Sequence, residues 1–171
     1  MTTDETKTTW TDEILKSFNP CADGYAWYVE NCREENITDT TEIIKLLMAD
    51  KKQYWANWTL GRAFSRKDRI RYAIFSAEQV IDFYEKKYPK NKTPRKAIEA
   101  ARAVLEGDTE DNAISAAVAV AFSAYYAAPA FSVDYAAAAV AFSAYYAARA
   151  AYNSIQTKIL NYGITLLEAN K

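Results

Sequence analysis

Histidine is absent from the 171 residues, which removes the commonest metal ligand and the side chain most used as a general base near neutral pH. Cysteine is nearly absent too. Cys21 and Cys32 stand eleven residues apart, a spacing that fits no zinc pattern and reads as a pair of reduced thiols. Glycine and proline number only four each, and every proline falls where a helix would start or stop, so the default is an all-α fold. No nucleophile motif and no phosphate-cradling glycine loop is present. The chain therefore reads as a non-enzyme with no catalytic residues, no cofactor and no metal. Asp23, Asp82 and Glu85 could act as acids, yet a surface or ion-paired role suits them better. The polar, acidic start MTTDETKTTW is no secretory or transit signal, which leads us to expect a cytoplasmic protein.

Charge is also missing from one long stretch. Between Ile114 and Gln156 only Asp134 and Arg149 are charged, and the string AVAFSAYYAA occurs twice, at 119–128 and 139–148. Alanine is the best helix former, so this tract reads as helix. An offset of twenty residues would rotate one continuous helix by about 200°, pointing the two copies nearly opposite ways. Pro129 argues for a break near 128–134. The expectation is a central Ala/Tyr-rich antiparallel hairpin within a single-domain bundle of about eight or nine helices. Residues 113–133 are long enough to span a bilayer, but alanine inserts weakly, Pro129 and serines interrupt the run, and no Lys/Arg cluster flanks it. We expect no membrane span. The hydroxyls of Tyr125, Tyr126, Tyr145 and Tyr146 would need partners in a core hairpin, and their density suggests a pocket.

The remaining chain reads as helices joined by short punctuated loops. Residues 1–10 are expected to be a disordered tail and residues 11–171 one all-α domain. Thr11 or Asp12 caps a short helix, and Pro20 opens a second over 21–32, with Asp23, Trp27 and Glu30 along one face. Asp39 with Glu42 forms a capping box for a core helix. Asp50 is the expected cap of the next, on which Tyr54, Trp58 and Arg62 are spaced four apart and Trp55 lies beside Trp58. These aromatics suit either packing or a base-stacking platform under a cation. A long helix is expected over 66–87, its apolar stripe running Ile70, Ala73, Ile74, Ala77, Val80, Ile81 and Tyr84. Its first turns hold Arg66, Lys67, Arg69 and Arg71, cations that oppose the macrodipole and so call for an anion nearby. Thr93 and Pro94 start another helix that Gly107 ends, and a last one carries Ile155 to Leu167.

The net charge of −1 conceals an uneven distribution: residues 1–50 sum to −7, residues 51–100 to +8 and residues 101–171 to −2. Such a division pairs internally or offers opposite faces to partners. It gives little reason to expect nucleic-acid binding.

Several strings together, CADGYAWYVEN, WANWTLGRAF, RYAIFSAEQVIDFYEKKYPKNKTPRKAIEAARAVLEGD and KILNYGITLL, resemble the immunity proteins of bacterial polymorphic toxin systems, a family with members in phage genomes. The resemblance implies an all-α, non-enzymatic antagonist of a toxin or host defence effector, acting by binding. The alternative is a phage sponge that sequesters a nucleotide-derived immune signal. Under either reading the candidate binding residues are Trp27, Tyr54, Trp55, Trp58, Arg62, Arg69, Arg71, Tyr125, Tyr126, Tyr145 and Tyr146. A symmetric homo-oligomer through an Ala/Tyr face is a further expectation.

Overall fold

The computed structural model describes residues 5–79, 81–107 and 152–171. The helices are α1 (Asp12–Ser17), α2 (Ala22–Tyr28) continued by a π-helix (Val29–Arg33), α3 (Thr40–Ala49), α4 (Gln53–Ala63), α5 (Arg66–Glu78), α6 (Ile81–Lys87), α7 (Thr93–Leu105) and α8 (Tyr152–Glu168). Among the described residues there is no β-strand; antiparallel pairing is confined to an isolated bridge between Thr9 and Asp39. The all-α expectation holds. The expected single bundle around a central Ala/Tyr-rich antiparallel hairpin does not, because the chain divides into two compact units, Met1–Ser65 with Gly163–Lys171 and Arg66–Tyr162. The residues on which that hairpin was drawn lie outside the described residues.

The first unit is assembled from short helices, which are marginal in isolation and depend on caps and tertiary packing. Thr11 caps α1 by accepting from the Ile14 N–H, and Asp39 caps α3 by accepting from the Glu42 N–H at 3.0 Å. Burial pushes the Asp39 carboxyl up, but hydrogen bonds from the Lys171 ammonium and the Glu42 N–H hold it below the usual carboxylate range. The core of the unit includes Trp10, Leu15, Tyr28, Cys32, Ile44, Leu47, Leu60, Phe64 and Leu167. Burial pushes the Cys32 thiol up to about 11, so it stays protonated.

Residues 5–10, expected to fray, are instead tied down. The Lys7 N–H donates to the Ala63 carbonyl, the Trp10 N–H to the Thr38 carbonyl, and the Thr6 hydroxyl accepts from the Ser65 N–H. Trp10 is 1% exposed and stacks on Phe18 with ring centroids 5.6 Å apart. One large indole supplies enough apolar area to order a segment whose neighbours are all polar.

The second unit rests on longer helices. Ala73, Ile74, Ala77 and Ile81 meet Ala97 and Ile98 in one cluster, with Ile70, Ala101 and Leu105 packed against it. Small Ala side chains on both α5 and α7 allow close packing of the two helices. Ion pairs join the same elements outside the apolar seam: Arg102 with Glu78, and a two-pronged Arg95–Glu85 pair at 2.8 Å for each prong. Arg95 holds the Glu85 carboxyl down to about 2.

Two helix boundaries differ from expectation. The long helix over 66–87 is broken after Glu78, although the stripe through Ala73, Ile74, Ala77 and Ile81 keeps helical spacing across the break. Neither Gly nor Pro marks it. Asp50 does not cap α4, whose N-cap is Lys52 without a side-chain hydrogen bond; its carboxylate is engaged elsewhere.

Candidate functional site

In the first unit, α2 and the start of α4 place aromatic rings together. Gly24 allows this approach. A Cβ built there would lie 3.7 Å from the Trp55 ring and 3.1 Å from Cys21 Sγ, so α2 carries no side chain where the indole lies. Trp27 then meets Trp55 at 6.5 Å between centroids, and its indole Nε1–H donates to Asp50 Oδ2 at 2.7 Å. The Lys52 ammonium lies over the Trp55 ring at 4.8 Å. Tyr54 is 57% exposed.

Three residues further along α4, Trp58 belongs to a different group. Phe18 meets it at 87°, and the Arg62 guanidinium stacks over it at 3.9 Å while donating to the Trp58 carbonyl at 3.4 Å. This stack is the cation–aromatic pair that the four-residue spacing suggested. Through Phe18 it joins buried Trp10, so Trp58 has a packing role that the sequence alone does not reveal. The aromatic run of α4 thus divides between two neighbourhoods, Trp55 with Trp27 and Trp58 with Phe18.

The expected residues Arg69 and Arg71 belong to α5 in the second unit. Arg71 pairs at 2.8 Å with Asp68, a carboxylate only 3% exposed in the first turn of the same helix. Asp68 is a nearby anion of the kind the clustered cations called for, and at a helix N-terminus it also opposes the positive end of the macrodipole. Tyr125, Tyr126, Tyr145 and Tyr146 lie outside the described residues.

One element escaped the sequence reading. The expected helix over 21–32 ends as a π-helix, Val29–Arg33, where hydrogen bonding shifts from the α pattern and the Glu34 N–H reaches the Val29 carbonyl. The Asn31 side-chain amide donates to the Trp27 carbonyl at 2.8 Å, satisfying an acceptor at the junction. Beside it, Tyr25 donates to Asp12, receives a hydrogen bond from Arg33, and has Lys16 over its ring.

Among the described residues, no group of three or more His, Cys, Asp or Glu is placed to hold a metal ion. No helix among them is long and apolar enough to cross a membrane. The arrangement is a set of ordered aromatic and charged side chains carried on small helices. The chain belongs to the family described as Imm-5 like putative immunity protein, whose sequence profile matches residues 59–171. That family makes it a non-enzymatic protein of the immunity type. Comparison with curated proteins and comparison with solved structures each return no match.

Proposed function

We propose that this protein acts in the cytoplasm as an immunity or counter-defence factor, neutralising a toxin or defence effector by binding to it as a protein. The observation that carries the reading is how the aromatic rings of α4 are used. Arg62 lies over Trp58 and Lys52 over Trp55, so the chain's own cations occupy positions a stacked base would need. Aromatic and charged side chains held this way suit a protein–protein interface, in which tryptophan, tyrosine and arginine anchors dominate the binding energy. Of the candidate residues, Trp27, Tyr54 and Trp55 would supply the contact surface. Trp58 and Arg62 would support it from within.

The test is purification from cells carrying an active toxin or antiviral signalling system, followed by heat denaturation and separate mass spectrometry of released small molecules and bound proteins. A stoichiometric toxin or effector, with no small ligand, is the expected outcome. A stoichiometric nucleotide with no bound protein overturns the proposal in favour of sequestration of a signalling molecule.

A further inference from the structure

We propose that Gly163–Lys171, the part of α8 that belongs to the first unit, is a strap. Seated along α3, it completes that unit, and only then are Trp27 and Trp55 held together as a surface; the function proposed above supplies no more than what the surface is for.

Met1–Ser65 by itself is short of core. A chain of about 60 residues is at the size where one core barely offsets the entropy of ordering it. Its helices of six, seven, ten and eleven residues are each marginal alone. The strap supplies what is missing. Leu167 is 0% exposed and Ile164 8%, two aliphatic side chains that reach this unit after Arg66–Tyr162 has intervened. Two ion pairs mark where the strap lies: Lys171 Nζ is 2.5 Å from Asp39 Oδ2 at the start of α3, and Glu168 Oε1 is 3.6 Å from Lys45 Nζ further along it. All four of these side chains are well exposed, so the pairs guide register more than they add strength. Burial of Leu167 and Ile164 provides the hold.

The helix that the strap grips is committed at both ends. At its start, Asp39 also accepts the Glu42 N–H at 3.0 Å, the Thr40 N–H donates to the Thr8 carbonyl at 2.9 Å, and the Trp10 N–H donates to the Thr38 carbonyl at 2.7 Å. Residues 8–10 and the strap therefore converge on one turn. At its other end, Asp50 accepts the Trp27 indole N–H, while Lys52, whose own N–H returns to the Leu47 carbonyl at 2.8 Å, lies over Trp55. Between the ends Ile43, Ile44 and Leu47 are buried. One short helix thus ties the strap to the tryptophan pair, and a local opening that frees one end of so short an element frees the other.

The full-length protein and its Leu167→Ala variant would be compared by amide hydrogen exchange, with the Trp27 indole signal assigned through Trp27→Phe. In the variant, the Trp10 and Thr40 amides at the start of α3 and the Asp50 and Lys52 amides at its end should all exchange at least about thirtyfold faster. The Trp27 indole signal should lose its folded position at a lower urea concentration. Amides of α7 should change little, and Leu167→Met should restore most of the protection. Faster exchange at Trp10 and Thr40 with Asp50, Lys52 and the indole unmoved would overturn the strap as organiser of the surface, and so would equal acceleration in α7. If Leu167→Ala does not fold, Lys171→Ala with Glu168→Gln decides: the same amides should exchange about two- to fivefold faster, and no change overturns the proposal. A nucleotide as the sole co-purifying partner leaves these exchange results standing and sinks the proposed function alone.

Discussion

The two compact units reach order by different routes. In the first, helices of six and seven residues are held by side-chain caps, by backbone hydrogen bonds from residues 6–10, and by large aromatics meeting across loops. In the second, α5 and α7, thirteen residues each, need little beyond an Ala/Ile seam and exterior ion pairs. Short helices placed by individual contacts display side chains in irregular positions. The second unit instead repeats one regular apolar seam along α5 and α7.

All four tryptophans belong to the first unit, so indole emission reports on that unit while far-UV circular dichroism reports on both. The sharpest break in the comparison is Trp10→Ala. Removing this buried indole should cost about 3–5 kcal/mol, shift the urea midpoint of emission strongly, and release residues 5–10 to rapid amide exchange. Next comes Ile98→Ala in the seam of the second unit, with an expected loss of about 2–4 kcal/mol. Its signature is faster exchange in α5 and α7 with little change in that of α3. If Ile98→Ala loosened α3 as much as α7, the two routes to order would be one.

A smaller effect is expected from Asp39→Ala, about 1 kcal/mol for the lost cap of α3, read from the urea midpoint and from exchange at the Glu42 amide. Smallest at neutral pH is Glu85→Gln. Arg95 lowers the folded pKa of Glu85 to about 2 from an ordinary 4.5, so its contribution is present above the unfolded value. It is lost as pH falls from about 4.5 towards 2. Acid titration monitored by circular dichroism should show that loss in the wild type and a flatter profile in the variant. Coincident acid profiles would remove the ion pair from the account of the second unit.

Much of this was legible in the sequence because it depends on local chemistry. The Thr11 and Asp39 caps, Pro94 at the start of α7 and Gly107 beyond its end, with φ of +95°, all obey rules acting over three or four residues. The Arg62–Trp58 stack comes from four-residue spacing alone. The features that escaped depended on partners distant in sequence. Asp50 resembles a helix cap until Trp27, 23 residues away, claims its carboxylate. Residues 5–10 look frayed until Trp10 finds Phe18 and Tyr28 donates to its carbonyl. The break after Glu78 is invisible to periodicity because the apolar stripe runs through it. The division of α4 between two aromatic groups was likewise hidden, since Trp55 and Trp58 are neighbours on a wheel and their partners, Trp27 and Phe18, come from different parts of the chain.

The π-helix at Val29–Arg33 has a consequence for how such a protein diversifies. A π turn accommodates one residue more than an α turn, so loss of a single codon there would restore α pitch and leave the chain after Arg33 at much the same bearing relative to α2. Trp27 would keep its place against Trp55, and Glu34 and Glu35 would keep their bearing beyond the joint. A one-residue length change at this joint is therefore one that descendants of the chain can absorb without re-aiming the segments on either side of it.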